Sequence, residues 1–204
     1  MQNYPYQNFY EVIEANAKND PKKTAIFIDD KKVSYLKLKQ NIDTFARFLE
    51  FSGIKSEDRV AMIIGNSEEF VVSLFAITKI GAVAVPLNTF LKKEEFEYIL
   101  NDCGAKMLVS SAVFASETKD LLKTTTIEKI VWTDKYDHLD EQNYSFTEID
   151  ISQETYERLQ KRPSLGDLAC IVYTSGTTGK PKGAMLSYKN IFSNAIGGAE
   201  SFQI

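Results

Sequence analysis

The chain is poor in the residues that build metal sites, disulfide frameworks and histidine-based catalysis. Its 204 residues include one histidine and two cysteines. His138 sits alone in the polar stretch Asp134-Lys-Tyr-Asp-His-Leu-Asp140, so a histidine cluster is excluded and a solvated loop position is expected. Cys103 and Cys170 show neither C-x-x-C nor any metal-ligand spacing, and both read as buried free thiols. An excess of positive charge is also missing. The 24 Lys and Arg against 28 Asp and Glu give a net charge of −4, which argues against nucleic acid as the main partner. No run of about 18 apolar residues occurs, so no transmembrane segment is expected. The amino terminus, Met1-Gln-Asn-Tyr-Pro5, lacks a basic and then apolar signal region, and a cytoplasmic location is the default expectation.

What is present is ordinary globular material. At 44% hydrophobic and 25% charged residues, the chain can bury a sizeable core, and disorder is not expected. Apolar strand-like runs alternate with longer stretches of helical period, the α/β signature. Helices are predicted over 9–18, from a Ser34 cap to Gly53, from a Ser67 cap to Gly81, over 92–102 and over 113–123. Strands are predicted at 24–28, 59–64, 82–85, 106–109 and 127–132, with a turn at 29–32. The strand–helix–strand units at 59–85 and 82–109 imply right-handed crossovers and a parallel sheet. Residues 1–133 thus read as an α/β lobe. Residues 134–166 are polar and read as a variable connection, with a short strand near 144–146 and a short helix near 152–159. Its acidic residues show no fixed spacing of the kind a metal site needs.

Residues 167–204 hold the most informative feature. An apolar strand, Leu168-Ala-Cys-Ile-Val172, runs into Tyr173-Thr-Ser-Gly-Thr-Thr-Gly-Lys-Pro-Lys-Gly183. Such a loop exposes backbone N–H groups. Gly176 and Gly179 remove side-chain bulk, Thr174, Ser175, Thr177 and Thr178 offer hydroxyls, and Lys180 and Lys182 add charge. That combination suits a polyphosphate. It is not a Walker loop, because Gly176 and Gly179 are three apart and Pro181 follows the Gly-Lys pair. Nor is there a G-x-G-x-x-G fingerprint. A strand at 183–186 and a helix capped by Ser187 follow. The chain ends at Ile204, and the apolar face of this last pair is expected to form an exposed patch that drives self-association.

The loop resembles the phosphate-binding motif of the adenylate-forming superfamily, [Tyr/Phe]-Thr-Ser-Gly-Thr-Thr-Gly-x-Pro-Lys-Gly, at every fixed position. Two upstream stretches resemble family patterns in the same order. Val33-Ser34-Tyr35-Leu36-Lys37-Leu38 is similar to the early T-Y-x-E-L stretch, with Lys37 where an acid is usual. Lys79-Ile80-Gly81-Ala82-Val83-Ala84-Val85-Pro86-Leu87-Asn88 is similar to K-x-G-A-x-x-V-P-L-[DN]. Ala84 and Asn88 depart from the Tyr and Asp of peptide-synthetase adenylation domains, and Val85-Pro-Leu-Asn-Thr-Phe-Leu91 and Gly183-Ala-Met-Leu-Ser-Tyr-Lys-Asn-Ile191 look most like fatty-acyl-CoA ligases.

The resemblance implies the layered sheet-and-helix amino-terminal lobe of the acetyl-CoA synthetase-like fold, incomplete here. It implies an acid–thiol ligase that joins a carboxylate, a fatty acid by this reading, to ATP. Pyrophosphate leaves, and coenzyme A then displaces AMP. By the family pattern, Thr174, Ser175, Gly176, Thr177, Thr178, Gly179 and Lys182 wrap the ATP phosphates. Lys182 stabilises charge there, and the variable Lys180 faces solvent. The family places adenine, ribose and Mg²⁺ contacts in later stretches, including an aromatic-Gly-x-Thr-Glu pattern, and no Tyr-Gly-x-Thr-Glu string occurs in this chain. The chain is therefore expected to be an amino-terminal part whose partner is the remainder of the enzyme, inactive alone. Two other readings stay open: a nucleotide-binding or assembly module that docks a second polypeptide, and another adenylate-forming enzyme such as an aryl-CoA ligase or a peptide-synthetase adenylation domain.

Overall fold

Seven strands form one sheet in the computed structural model, which describes residues 4–149, 162–174 and 179–202. The chain opens with α1 (Phe9–Asn19) and a separate hairpin of β1 (Thr24–Ile28) and β2 (Lys31–Ser34). The predicted turn at 29–32 is shorter than expected. Lys31 and Lys32 pair with Ile28 and Phe27, leaving Asp29 and Asp30 as a two-residue turn with Asp29 at φ 50. Aspartate tolerates that left-handed geometry, so the turn closes without glycine.

The main sheet is built from α2 (Tyr35–Phe51), β3 (Arg59–Ile63), α3 (Glu68–Lys79), β4 (Val83–Pro86), α4 (Lys93–Cys103) and β5 (Met107–Ser110). Short helices α5 (Ala115–Thr118) and α6 (Leu121–Thr124) precede β6 (Lys129–Trp132) and β7 (Asn143–Ser145). β8 (Leu168–Thr174), β9 (Lys182–Ser187) and α7 (Tyr188–Phe202) complete the chain. The strand order is β7-β6-β5-β3-β4-β8-β9, parallel from β7 through β8, with β9 antiparallel at the edge.

Alternation along the strands divides the core in two, as the pleat requires. Val60, Met62, Ala84, Met107, Val109 and Val131 face α1, α2 and α3. Ala61, Ile63, Val83, Val85, Leu108 and Ile130 face the other way, onto Phe96, Ile99 and Leu100 of α4. A sheet covered on both faces needs near-continuous apolar strands, which is why β3, β4 and β5 stand out in the sequence. The caps sit where the sequence places them. Ser34 accepts from the Lys37 amide at 3.2 Å and Ser67 from the Phe70 amide at 3.1 Å. Gly53, Gly81 and Gly104, with φ of 89, 76 and 59, follow α2, α3 and α4.

Two expectations change. The helix expected over 113–123 is broken into a 3₁₀ turn at Ala112–Phe114 followed by α5 and α6. Thr118 and Thr125 turn their hydroxyls back onto the carbonyls of Phe114 and Leu121, at 2.8 and 2.6 Å. The apolar face of α7 is also better covered than expected. Tyr188 is fully buried, its hydroxyl donates to the Thr78 carbonyl at 2.6 Å, and Phe9 packs on both Tyr188 and Phe192. The exposed apolar residue of this region is instead Met185 on β9, 68% exposed. The helix expected near 152–159 lies outside the described residues. The sheet takes strands from all three stretches into which the sequence divides, since β7 comes from the polar connection.

One charged cluster joins α1, α2 and α3. The Asp43 carboxylate accepts from Tyr10 at 2.6 Å, Lys39 at 2.7 Å and Lys79 at 2.6 Å. Burial pushes the Asp43 carboxyl up, but the bonds from Lys39, Lys79 and Tyr10 outweigh it and hold the pKa below the usual carboxylate range. Burial, then Asp43 as acceptor, pushes the Tyr10 phenol up to about 12. A depressed carboxyl contributes stability above its unfolded pKa of about 3.9, and that contribution is lost as pH falls through the folded value. Asp43→Asn is therefore expected to lower Tm at neutral pH, with the gap to wild type narrowing below about pH 4. Thermal melts across pH check this; a gap that stays constant into acid would contradict it.

Candidate active site

The glycine-rich loop grows from a ribbon. β8 ends at Thr174, and β9 begins directly opposite it at Lys182. The ribbon therefore projects from the carboxyl ends of the parallel strands, the edge where open α/β sheets bind ligands. Opposed residues of an antiparallel pair share a face. Thr174 and Lys182, both exposed, thus stand side by side on one face of the ribbon, a hydroxyl next to an ammonium. Ser175, Gly176, Thr177 and Thr178 lie outside the described residues.

Gly179 has φ +91, and among the described residues a Cβ built on it would meet nothing within 4 Å. The left-handed backbone there favours glycine. Gly183 is the opposite case. It faces Tyr173, and a Cβ would lie 2.7 Å from Ile171 Cγ2 and 3.0 Å from Tyr173 Cζ. Ile171 is buried and branched at Cβ, so it has little freedom to yield. The first and last residues of the eleven-residue motif are thus explained by packing: the Tyr173 ring lies across the space that Gly183 leaves.

Tyr173 is in turn held by α4. Its hydroxyl donates to the Asp102 carboxylate at 2.5 Å. Burial, then Asp102 as acceptor, pushes the phenol well above its ordinary pKa, so it remains a protonated donor. Lys180 is exposed as expected, yet it is not simply solvent-facing. Its Nζ lies 5.3 Å from the centroid of the Tyr98 ring, one turn before Asp102 on α4. α4 is itself anchored at that end, because Arg59 donates to the carbonyls of Cys103 at 2.5 Å and Gly104 at 2.7 Å. Tyr98 and Asp102 escape sequence reasoning. Their i, i+4 spacing places them on one helix face, but only the fold brings that face to the loop.

The remaining candidates are inert. Cys170 is buried, which pushes its thiol up to about 11. Cys103 is half-buried rather than buried, and burial also raises its pKa. His138 is exposed, edge-on to Tyr136 at 5.7 Å. Among the described residues no helix is long and apolar enough to cross a membrane. Gly183→Val is expected to destabilise the fold by about 1–3 kcal/mol, the range for overpacking a well-filled site. Denaturant unfolding measures it, and unchanged stability would show that the Tyr173–Gly183 packing is not as close as described.

The chain matches known proteins in sequence and in shape. The profile of the AMP-binding enzyme family matches residues 13–203. The 2-succinylbenzoate–CoA ligase of Bacillus thuringiensis subsp. konkukian (strain 97-27) is 33% identical over 177 residues, which are 87% of this chain and 32% of that protein. The crystal structure of an anthranilate CoA ligase in complex with anthranoyl-AMP superposes with a TM-score of 0.81 at 30% identity, over 93% of this chain and 37% of that one. A long-chain-fatty-acid–CoA ligase from Archaeoglobus fulgidus gives a TM-score of 0.83 at 26% identity, over 100% of this chain and 41% of that one. The chain spans about a third of the length of the curated relatives it matches. On the profile match, which spans nearly the whole chain, the chain belongs to the AMP-binding enzyme family.

Proposed function

We propose that this chain is the amino-terminal part of an AMP-forming carboxylate–CoA ligase and supplies its ATP phosphate loop. The observation that carries the reading is the stem of the loop. Thr174 and Lys182 stand opposite one another at the carboxyl edge, with left-handed Gly179 between them in sequence. In this reading the hydroxyls of Thr174, Ser175, Thr177 and Thr178 bind the β- and γ-phosphates. Gly176 and Gly179 allow close approach of the backbone, and Lys182 carries the compensating charge. The reaction brings an anionic carboxylate to the α-phosphate and releases pyrophosphate. A fixed ammonium and donors at the departing phosphates stabilise that charge without reorganisation. Coenzyme A then displaces AMP from the acyl-adenylate. Mg²⁺ would neutralise phosphate charge. The described residues gather no group of three or more His, Cys, Asp and Glu side chains, so the reading assigns its ligands to the remainder of the enzyme.

The acid is an acyl or aryl carboxylate. The motif strings at 85–91 and 183–191 favour a fatty acid, and the 33% identity to a 2-succinylbenzoate–CoA ligase favours an aryl acid. A panel of fatty acids and benzoate-type acids separates the two. The same reading keeps the protein in the cytosol, where ATP is available. It also assigns self-association of the isolated chain to the free edge of β9 around Met185.

The 204-residue chain alone is expected to release no pyrophosphate with any acid, whereas the full-length polypeptide carrying it does so with ATP and Mg²⁺. In that polypeptide Lys182→Ala is expected to slow adenylation by roughly 2–4 kcal/mol, about thirtyfold to a thousandfold. Pyrophosphate release under single-turnover conditions reads both. Turnover by the isolated chain, or unchanged adenylation in Lys182→Ala, would overturn the reading.

A further inference from the structure

A loop that meets phosphates must be held in place at its two stems. The structure offers one helix face for that task. Tyr98 and Asp102 lie one turn apart on α4, and each reaches one side of the loop. Asp102 accepts from the hydroxyl of Tyr173, the residue before Thr174. Tyr98 lies under Nζ of Lys180, the residue after Gly179. The two contacts therefore bracket residues 174–179 from the same helix.

The helix is suited to the work. Phe96, Ile99 and Leu100 fix α4 in the core, the half-buried Tyr98 packs against the same cluster, and Arg59 ties the carbonyls of Cys103 and Gly104 to the start of β3. Asp102 stands in the last turn of α4, where the helix dipole disfavours a carboxylate. Helix stability alone does not call for an acid there, and the Tyr173 hydroxyl gives it a partner.

We propose that Tyr98 and Asp102 are positioning residues for the phosphate loop. Asp102 holds the incoming stem through Tyr173, and Tyr98 holds the outgoing stem through Lys180. The proposal rests on the reading of residues 174–182 as an ATP phosphate loop. It assigns work to Lys180, at a position where the motif accepts any residue. Lys180 is kept on the α4 side of the loop, leaving Lys182 as the cation at the phosphates.

The test is steady-state kinetics of the full-length ligase, with KM determined separately for ATP, acid and coenzyme A, and with Tm recorded for each variant. Asp102→Ala and Tyr173→Phe are each expected to raise the KM for ATP about five- to tenfold, the scale of one hydrogen bond. The KM values for acid and coenzyme A and the Tm stay unchanged. The double variant loses no more than either single one, because both remove the same bond. Asp102→Asn, which keeps an acceptor, restores most of the ATP affinity. Tyr98→Leu raises the KM for ATP about two- to fivefold and makes Lys180→Met silent, while Tyr98→Phe, which keeps the ring, is normal.

Lys182→Ala is assayed beside them. Slowed adenylation in Lys182→Ala with an unchanged ATP KM in Asp102→Ala and Tyr98→Leu would overturn the clamp and spare the loop reading. Three KM values and Tm moving together would overturn it in favour of a merely structural role. Unaffected adenylation in Lys182→Ala would remove the loop reading, and the clamp with it.

Discussion

The site depends on the insertion of β8 between β4 and β9. Parallel pairing with β4 fixes its direction, so its carboxyl end reaches the same edge as those of β3 and β5. Antiparallel pairing with β9 then returns the chain across from Thr174, so both stems of the loop, Thr174 and Lys182, stand at that edge. Burial on both faces pins the neighbouring strands against slippage, because a one-residue shift would exchange the two apolar sets. The loop itself needs no internal structure to be correctly placed.

Packing and chemistry divide the motif between them. Tyr173 and Gly183 form an opposed pair in which the ring occupies the space a side chain would take, and α4 holds that ring from outside. Thr174 and Lys182, one residue further in on each strand, turn to the other face and remain exposed. Alternation along a two-stranded ribbon thus separates residues that hold the loop from residues that can meet an anion. Cys170 lies on the same face as Thr174 but deeper in the sheet, paired with Ala84, where burial keeps its thiol protonated.

Much of this was legible in the sequence. The runs of β3, β4, β5, β6 and β8 are apolar on both faces, and serines and glycines mark the ends of the helices between them. The site motif was legible because its spacing of small, hydroxyl and basic residues is dense. Strand order was not legible: nothing in residues 134–166 says that β7 joins the far edge while β8 crosses to β4. The role of α4 was hidden for a related reason, since Tyr98 and Asp102 read as part of an ordinary polar helix face until the fold sets Tyr173 and Lys180 beside them. The stretch after β5 has a period that suits a helix, yet it folds as a 3₁₀ turn and two four-residue helices.

The central claim is that residues 174–183 meet the phosphates of ATP. Amide hydrogen exchange of the full-length polypeptide, with and without ATP, tests it directly. The account predicts slowed exchange at these amides when ATP is bound, because the backbone N–H groups become donors to phosphate oxygens, with no change in β5 or β6. Saturating ATP that protects other segments and leaves 174–183 exchanging as before would contradict it.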